Sequence, residues 1–253
     1  MQDLKITLVQ ADQAWEDREE NFKRYDALLK NQDSDLFVLP EMFQTGFSMN
    51  TSLCERMNGI SIQWLRERAA MYNAAFYTSL MIEENGAHFN RGVFVHPDGT
   101  IHSYDKRKCF RLAGEDKHFT SGKSATIVEF RGWKFQLQIC YDLRFPKIVQ
   151  NEIVDGDPIY DIILYVANWP AKRIAHWDAL LKARAIENQS YVVGVNRIGT
   201  DGNGFEYNGH STLIDAMGEI NDLLPNQSLA KTVVIHCNEI TKIRERLPFL
   251  SDL

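Results

Sequence analysis

The amino-acid sequence predicts one layered α/β domain. Short apolar runs rich in β-branched and aromatic residues alternate with segments of helical periodicity along the chain. No Pro- or Ser-rich linker, internal repeat or low-complexity segment is read between them. A length of 253 residues with 44% hydrophobic and 25% charged side chains suits a single domain with a large core.

The first strand is read at residues 4–10, where apolar and polar residues alternate. A helix follows over 17–30, set by Phe22, Tyr25, Leu28 and Leu29, and then a strand at 35–40. Ile62, Leu65 and Ala69 mark a helix over 60–72, ahead of strands at 75–82, 91–96 and 100–104. Pro97-Asp98-Gly99 turns the last two into a hairpin, because proline presets the first turn dihedral and glycine accepts a positive φ. Arg131-Gly132 does the same between strands at 125–130 and 133–140. A strand at 160–167, a helix over 172–187 (Ile174, Trp177, Leu181) and strands at 190–196, 211–215 and 231–236 complete the pattern.

A net charge of -6, with 34 acidic and 28 basic residues, argues against nucleic acid as the main ligand, since the only basic run is Lys106-Arg107-Lys108. A small molecule is the expected partner. No apolar stretch approaches the roughly 20 residues that span a bilayer, and the first ten residues lack signal-peptide character, so no membrane partner and a cytoplasmic location are expected. Cys54, Cys109, Cys140 and Cys237 show neither CxxC pairing nor histidines at zinc-finger spacing, and are read as free thiols. Sequons at Asn50, Asn188 and Asn226 are read as chance matches, since no secretory signal is expected.

The chain contains no HExxH, GxSxG or GxGxxG. Gly122-Lys123-Ser124 resembles the end of a phosphate loop, but Lys117 occupies the earlier position where that loop needs glycine, so it is read as a turn. Three places could carry chemistry. Cys140 closes an apolar strand on which Trp133, Phe135, Leu137 and Ile139 share the other phase; a buried structural cysteine is an equal reading there. Glu41 follows an apolar strand stopped by Pro40 and stands among apolar side chains, as a general base of raised pKa would; a glutamate turned outward is the plainer reading. Lys106 lies in a cationic run, ordinarily a solvated face, although a buried lysine would supply fixed positive charge to a forming oxyanion.

In this order and at these separations, Pro40-Glu41-Met42-Phe43, Tyr104-Asp105-Lys106 and Ile139-Cys140-Tyr141-Asp142-Leu143-Arg144-Phe145-Pro146 resemble the glutamate, lysine and cysteine signatures of the nitrilase superfamily, and the resemblance runs over nearly the whole chain. It implies a nitrilase-type α/β/β/α sandwich, one domain over 1–253 with two mixed sheets between helical layers. By motif position it makes Glu41 the base, Lys106 the oxyanion lysine and Cys140 the nucleophile, with Glu115, seven residues before Gly122, as a second glutamate. Val166-Ala167-Asn168-Trp169-Pro170 and the run from Lys182 to Gln189 look like family signatures lining and supporting the pocket. Lys108 and Cys109 stand where related motifs carry histidine and leucine, so Lys108 is a fallback for the inward lysine.

The residues after Cys140 are similar to the amidase branches rather than to true nitrilases. Gly46-Phe47-Ser48-Met49 and Asn168-Trp169-Pro170 look most like those of bacterial omega-amidases, which hydrolyse the terminal amide of 2-oxo acids such as 2-oxoglutaramate. The resemblance thus implies a cysteine thioester, an oxyanion held by Lys106 and the Tyr141 N–H, no metal or organic cofactor, and a homodimer or higher homo-oligomer. Arg144, Arg173 and Arg197 are candidates for the substrate carboxylate. Trp169 and Phe43 are candidates for bracketing its aliphatic chain, each equally readable as core.

Overall fold

A computed structural model describes residues 1–252. In chain order the elements are β1 (Leu4–Gln10), α1 (Arg18–Leu29), β2 (Leu36–Val38), α2 (Ile60–Tyr72), β3 (Ala75–Glu84), β4 (Ala87–Val95), β5 (Ile101–Asp105), α3 (Glu115–His118), β6 (Ile127–Phe130) and β7 (Trp133–Ile139). They continue with β8 (Ile153–Val154), β9 (Asp157–Pro158), β10 (Ile162–Ala167), α4 (Ile174–Asn188), β11 (Tyr191–Asn196), β12 (Ile198–Thr200), β13 (Glu206–Asn208), β14 (Thr212–Ile214), β15 (Ile220–Leu223), β16 (Leu229–Ile235) and α5 (Cys237–Arg246).

Two six-stranded mixed sheets, β16-β1-β2-β3-β4-β5 and β15-β14-β11-β10-β7-β6, pack face to face, and β8/β9 and β12/β13 form separate ribbons. Alternation along the strands places the layers. On the first sheet Leu36, Val38, Ala75, Tyr77 and Phe94 face the second sheet, whereas Phe37, Leu39, Phe76, Val93 and Val95 face the core around Tyr25 of α1 and Trp64 of α2. On the second sheet β10 is buried throughout, because α4 covers its outer side with Trp177, Leu181 and Ala185. Each such large side chain contributes about 1.5–3 kcal/mol over leaving it exposed. Polar ties cross between the sheets: Tyr77 donates to the Gln138 carbonyl (2.9 Å), and Trp133 Nε1 to that of Gln2 (2.7 Å). This is the α/β/β/α sandwich expected from the resemblance.

The eleven strands read from sequence all form. Cys140, however, lies beyond β7 rather than in it, and β7 is an interior strand flanked by β6 and β10, not a sheet edge. Exposed β15, the two ribbons, α3 and α5 were not legible. β15 is an exposed edge strand without an apolar alternation, and α5 is a short, highly charged helix whose Cys237, Ile240 and Ile243 recur at helical spacing against the core but were not read as one. A repeat absent from the sequence is present in the topology. β1-β2-β3-β4-β5 and β7-β10-β11-β14-β15 have the same senses, parallel, parallel, antiparallel, antiparallel.

Candidate functional site

The parallel strands bring their C-terminal ends to one end of the molecule, where open α/β sheets place ligands. Glu41 follows β2, Cys140 follows β7, Asn168 follows β10, and Lys106 follows β5. Lys106, Glu41 and Glu115 are fully enclosed. Lys106 Nζ lies 2.8 Å from Glu41 Oε1 and 2.9 Å from each oxygen of Glu115. Burial works against the ammonium, but the carboxylates of Glu115 and Glu41 outweigh it and hold the Lys106 pKa well above the ordinary lysine value. Lys108 is turned away, its ammonium over the Phe145 ring, so the inward lysine is Lys106.

The carboxylates are themselves fixed. Asn90 Nδ2 donates to Glu41 Oε1 (2.8 Å) and Glu115 Oε1 (3.0 Å), the Asn168 N–H to Glu41 Oε2 (2.9 Å), and the Phe110 N–H to Glu115 Oε2. Asn168 Nδ2 and Gln13 Nε2 both donate to the Glu41 carbonyl, which locks the backbone under the carboxylate. Asn90 escapes a reading by residue type, since an amide on a strand carries no chemical signature until its neighbours are known. Of the 182–189 signature, Arg184 donates to the Leu143 carbonyl (2.6 Å) and so supports the cysteine turn from behind; none of that run lines the cleft.

Cys140 opens a 3-10 turn with a φ of 45°, a left-handed conformation that side-chain-bearing residues rarely adopt. The turn lifts its thiol to the floor of a cleft of about 600 Å³. Burial, then the negative charge of Glu41, push the thiol pKa well above the ordinary value in spite of Lys106. Tyr141, Arg144 and Trp169 line the cleft with Arg173, Phe110 and Phe47. The Arg144 guanidinium stacks 4.8 Å from the Trp169 ring centroid, and that of Arg173 lies 5.4 Å from Phe110. Among the described residues neither arginine pairs with a carboxylate.

Two of the sequence candidates lie elsewhere. Phe43 is fully buried on the opposite side of its strand end, 5.6 Å from Tyr25 and 5.5 Å from Trp64 by ring centroids, and is core. Arg197 is also fully buried; it donates to the carbonyls of Gln13 and Ile198 and stacks beneath Tyr207, a cleft residue, so it supports the wall from behind.

A family model for carbon-nitrogen hydrolases matches residues 5–241. The chain is 44% identical to an omega-amidase, YafV, of Yersinia enterocolitica, over 100% of this chain and 97% of that one. It is 29% identical to a 2-oxoglutaramate amidase of Bacillus subtilis over 98% and 96% of the two chains. The crystal structure of XC1258 from Xanthomonas campestris, described as a CN-hydrolase superfamily protein with an arsenic adduct in the active site, superposes with a TM-score of 0.98 at 39% identity, covering 100% of this chain and 98% of that one. The sequence signatures, the paired sheets and these likenesses agree: the chain belongs to the carbon-nitrogen hydrolase family of the nitrilase superfamily.

Proposed function

We propose that the protein is an omega-amidase, releasing ammonia from the terminal amide of a small 2-oxo dicarboxylate monoamide such as 2-oxoglutaramate through a thioester on Cys140. The observation that carries this is the enclosed Glu41-Lys106-Glu115 cluster behind a thiol at the floor of an open cleft. The relatives named for that activity support the substrate.

Glu41 takes the thiol proton as sulfur attacks the amide carbon, which removes the need for a free thiolate at rest. The tetrahedral oxyanion is held by the Lys106 ammonium and the Tyr141 N–H; one such donor contributes about 3 kcal/mol to lowering the barrier. Glu41 then passes the proton to the departing ammonia, and later activates the water that hydrolyses the thioester. Glu115 keeps Lys106 charged and aimed. The guanidinium of Arg144, which meets His176 Nδ1 (3.1 Å) but no carboxylate, receives the substrate carboxylate with Arg173 in the same cleft, and Trp169 covers the aliphatic chain. The protein acts in the cytoplasm as a homodimer or higher homo-oligomer. The exposed apolar Ile186 of α4, Met217 of the β14–β15 turn, and Ile220 and Leu223 of edge strand β15 support that assembly, which light scattering on the full chain tests.

Ammonia release is measured from 2-oxoglutaramate, glutamine, an N-carbamoyl amino acid and a nitrile, with wild type, Cys140→Ala and Arg144→Ala. The expected result is turnover of the oxo-amide alone, abolished by Cys140→Ala and shifted to high KM by Arg144→Ala. Preference for the carbamoyl compound would replace the substrate while keeping the mechanism. Inactivity on all four would leave a scaffold.

A further inference from the structure

One buried ionisable group beside the cluster has no part in that mechanism. Asp142 is fully enclosed two residues after Cys140. Its Oδ1 accepts from the Lys108 N–H (2.9 Å), and its Oδ2 from the Tyr104 hydroxyl (2.9 Å) and the Ile139 N–H (3.1 Å). These donors bracket the reacting groups. Tyr104 and Lys108 stand two residues to either side of Lys106, on the first sheet's lysine segment. Ile139 immediately precedes Cys140, at the end of the second sheet's β7.

We propose that Asp142 is a positioning residue that sets the distance between the Cys140 thiol and the Lys106 ammonium by clamping the lysine segment of one sheet to the cysteine turn of the other. The inference rests on the roles given above to Cys140 and Lys106. Two features make such a clamp necessary. Cys140 has a left-handed backbone, and such a conformation persists only when surrounding contacts over-determine it; the Asp142 bond to the Ile139 N–H closes that turn. The two reacting groups also come from different sheets, so their separation depends on inter-sheet packing unless a side chain ties them locally. A carboxylate suits the task because it accepts at both oxygens, whereas an amide presents one acceptor and one donor. Displacement of about 1 Å in such a constellation costs on the order of 100-fold in rate.

The test compares Asp142→Asn, Tyr104→Phe and the double variant at a pH above 7, where Asp142 is a carboxylate, normalising turnover of 2-oxoglutaramate to folded protein. Asp142→Asn places an NH2 against one of the three donors. The expected result is a fall in kcat of about 100-fold with KM changed less than about threefold. Tyr104→Phe removes one donor and leaves the other two bonds intact. It is expected to lower kcat about tenfold, with the double variant no worse than Asp142→Asn, because both act through one carboxylate. Tyr104→Phe keeps the test decisive if Asp142→Asn does not fold. Wild-type kcat per folded molecule in either variant, with only the melting temperature lowered, would overturn the inference. Turnover retained by a Cys140→Ala control would instead overturn the roles on which it rests.

Discussion

The thiol and its base pose an electrostatic question that burial sharpens. Glu41 raises the Cys140 pKa by its charge, yet is the group proposed to take the thiol proton. Replacing it separates the two effects. Glu41→Gln is expected to lower kcat by about 10²–10⁴-fold, the range of a lost general base. It should leave iodoacetamide alkylation of Cys140 as fast as in wild type or faster, because the charge that disfavours the thiolate is gone. Slower alkylation together with lost turnover would instead mean that Glu41 mainly maintains the site's structure. At this scale the sequence was informative about residue types: Glu41, Lys106, Glu115 and Cys140 are brought together as the motif spacing implied. It misplaced Phe43, because an aromatic next to a strand end can face either way and the pleat sends this one into the α1/α2 core. It overlooked Asn90, whose importance lies wholly in holding two carboxylates 49 and 25 residues away.

Gly122 shows how an element's path depends on a missing side chain. Its N–H donates to the Lys106 carbonyl (2.9 Å), and a Cβ there would lie 2.1 Å from the Asp105 carbonyl oxygen. The loop after α3 therefore crosses directly against the lysine segment, an approach that only glycine permits. Gly122→Ala is expected to push that segment away and lower kcat about tenfold or more, with the fold retained by circular dichroism. Unchanged kcat would show that the loop yields instead. The same logic applied to Gly194 of β11 concerns stability. A Cβ there would meet Leu181 at 2.6 Å and Trp177 at 2.8 Å, under α4. Gly194→Ala is expected to cost about 1–3 kcal/mol in urea denaturation through overpacking, and a neutral result would mean that α4 can shift outward. The sequence marked Gly122 by its distance from Glu115. Gly194 gave no such signal, since its constraint comes from a helix packed across the sheet.

Across the whole molecule, the buried acid at the sheet junction gives stability a pH dependence. Burial, only partly offset by Lys106 and three hydrogen-bond donors, pushes the Asp142 carboxyl up to about 7 from an ordinary value of 3.8. A carboxyl raised on folding binds its proton more tightly in the native state. Its contribution to stability is therefore complete below pH 3.8 and is lost as pH rises through about 7. A fully buried group shifted this far contributes at most about 4 kcal/mol. Asp142→Asn cannot titrate, so the stability gap between wild type and variant should narrow from pH 4 to pH 7 and then level off. A gap independent of pH would place the native carboxyl near its ordinary value. Asp142 sits where the buried side chains of the two sheets form one continuous core.

What the sequence determined by itself was the set of core strands and three of the helices, because the period of apolar burial is written into each segment, and the family, because its signature residue types and spacing recur in this chain. Only the tertiary structure decided which lysine turns inward, which aromatic lines the cleft, and that Asn90 and Asp142 tie separate segments together. Those outcomes depend on register between strands distant in sequence and on which side of a strand end a side chain leaves. They are set when two sheets close on one another, and no local pattern encodes them.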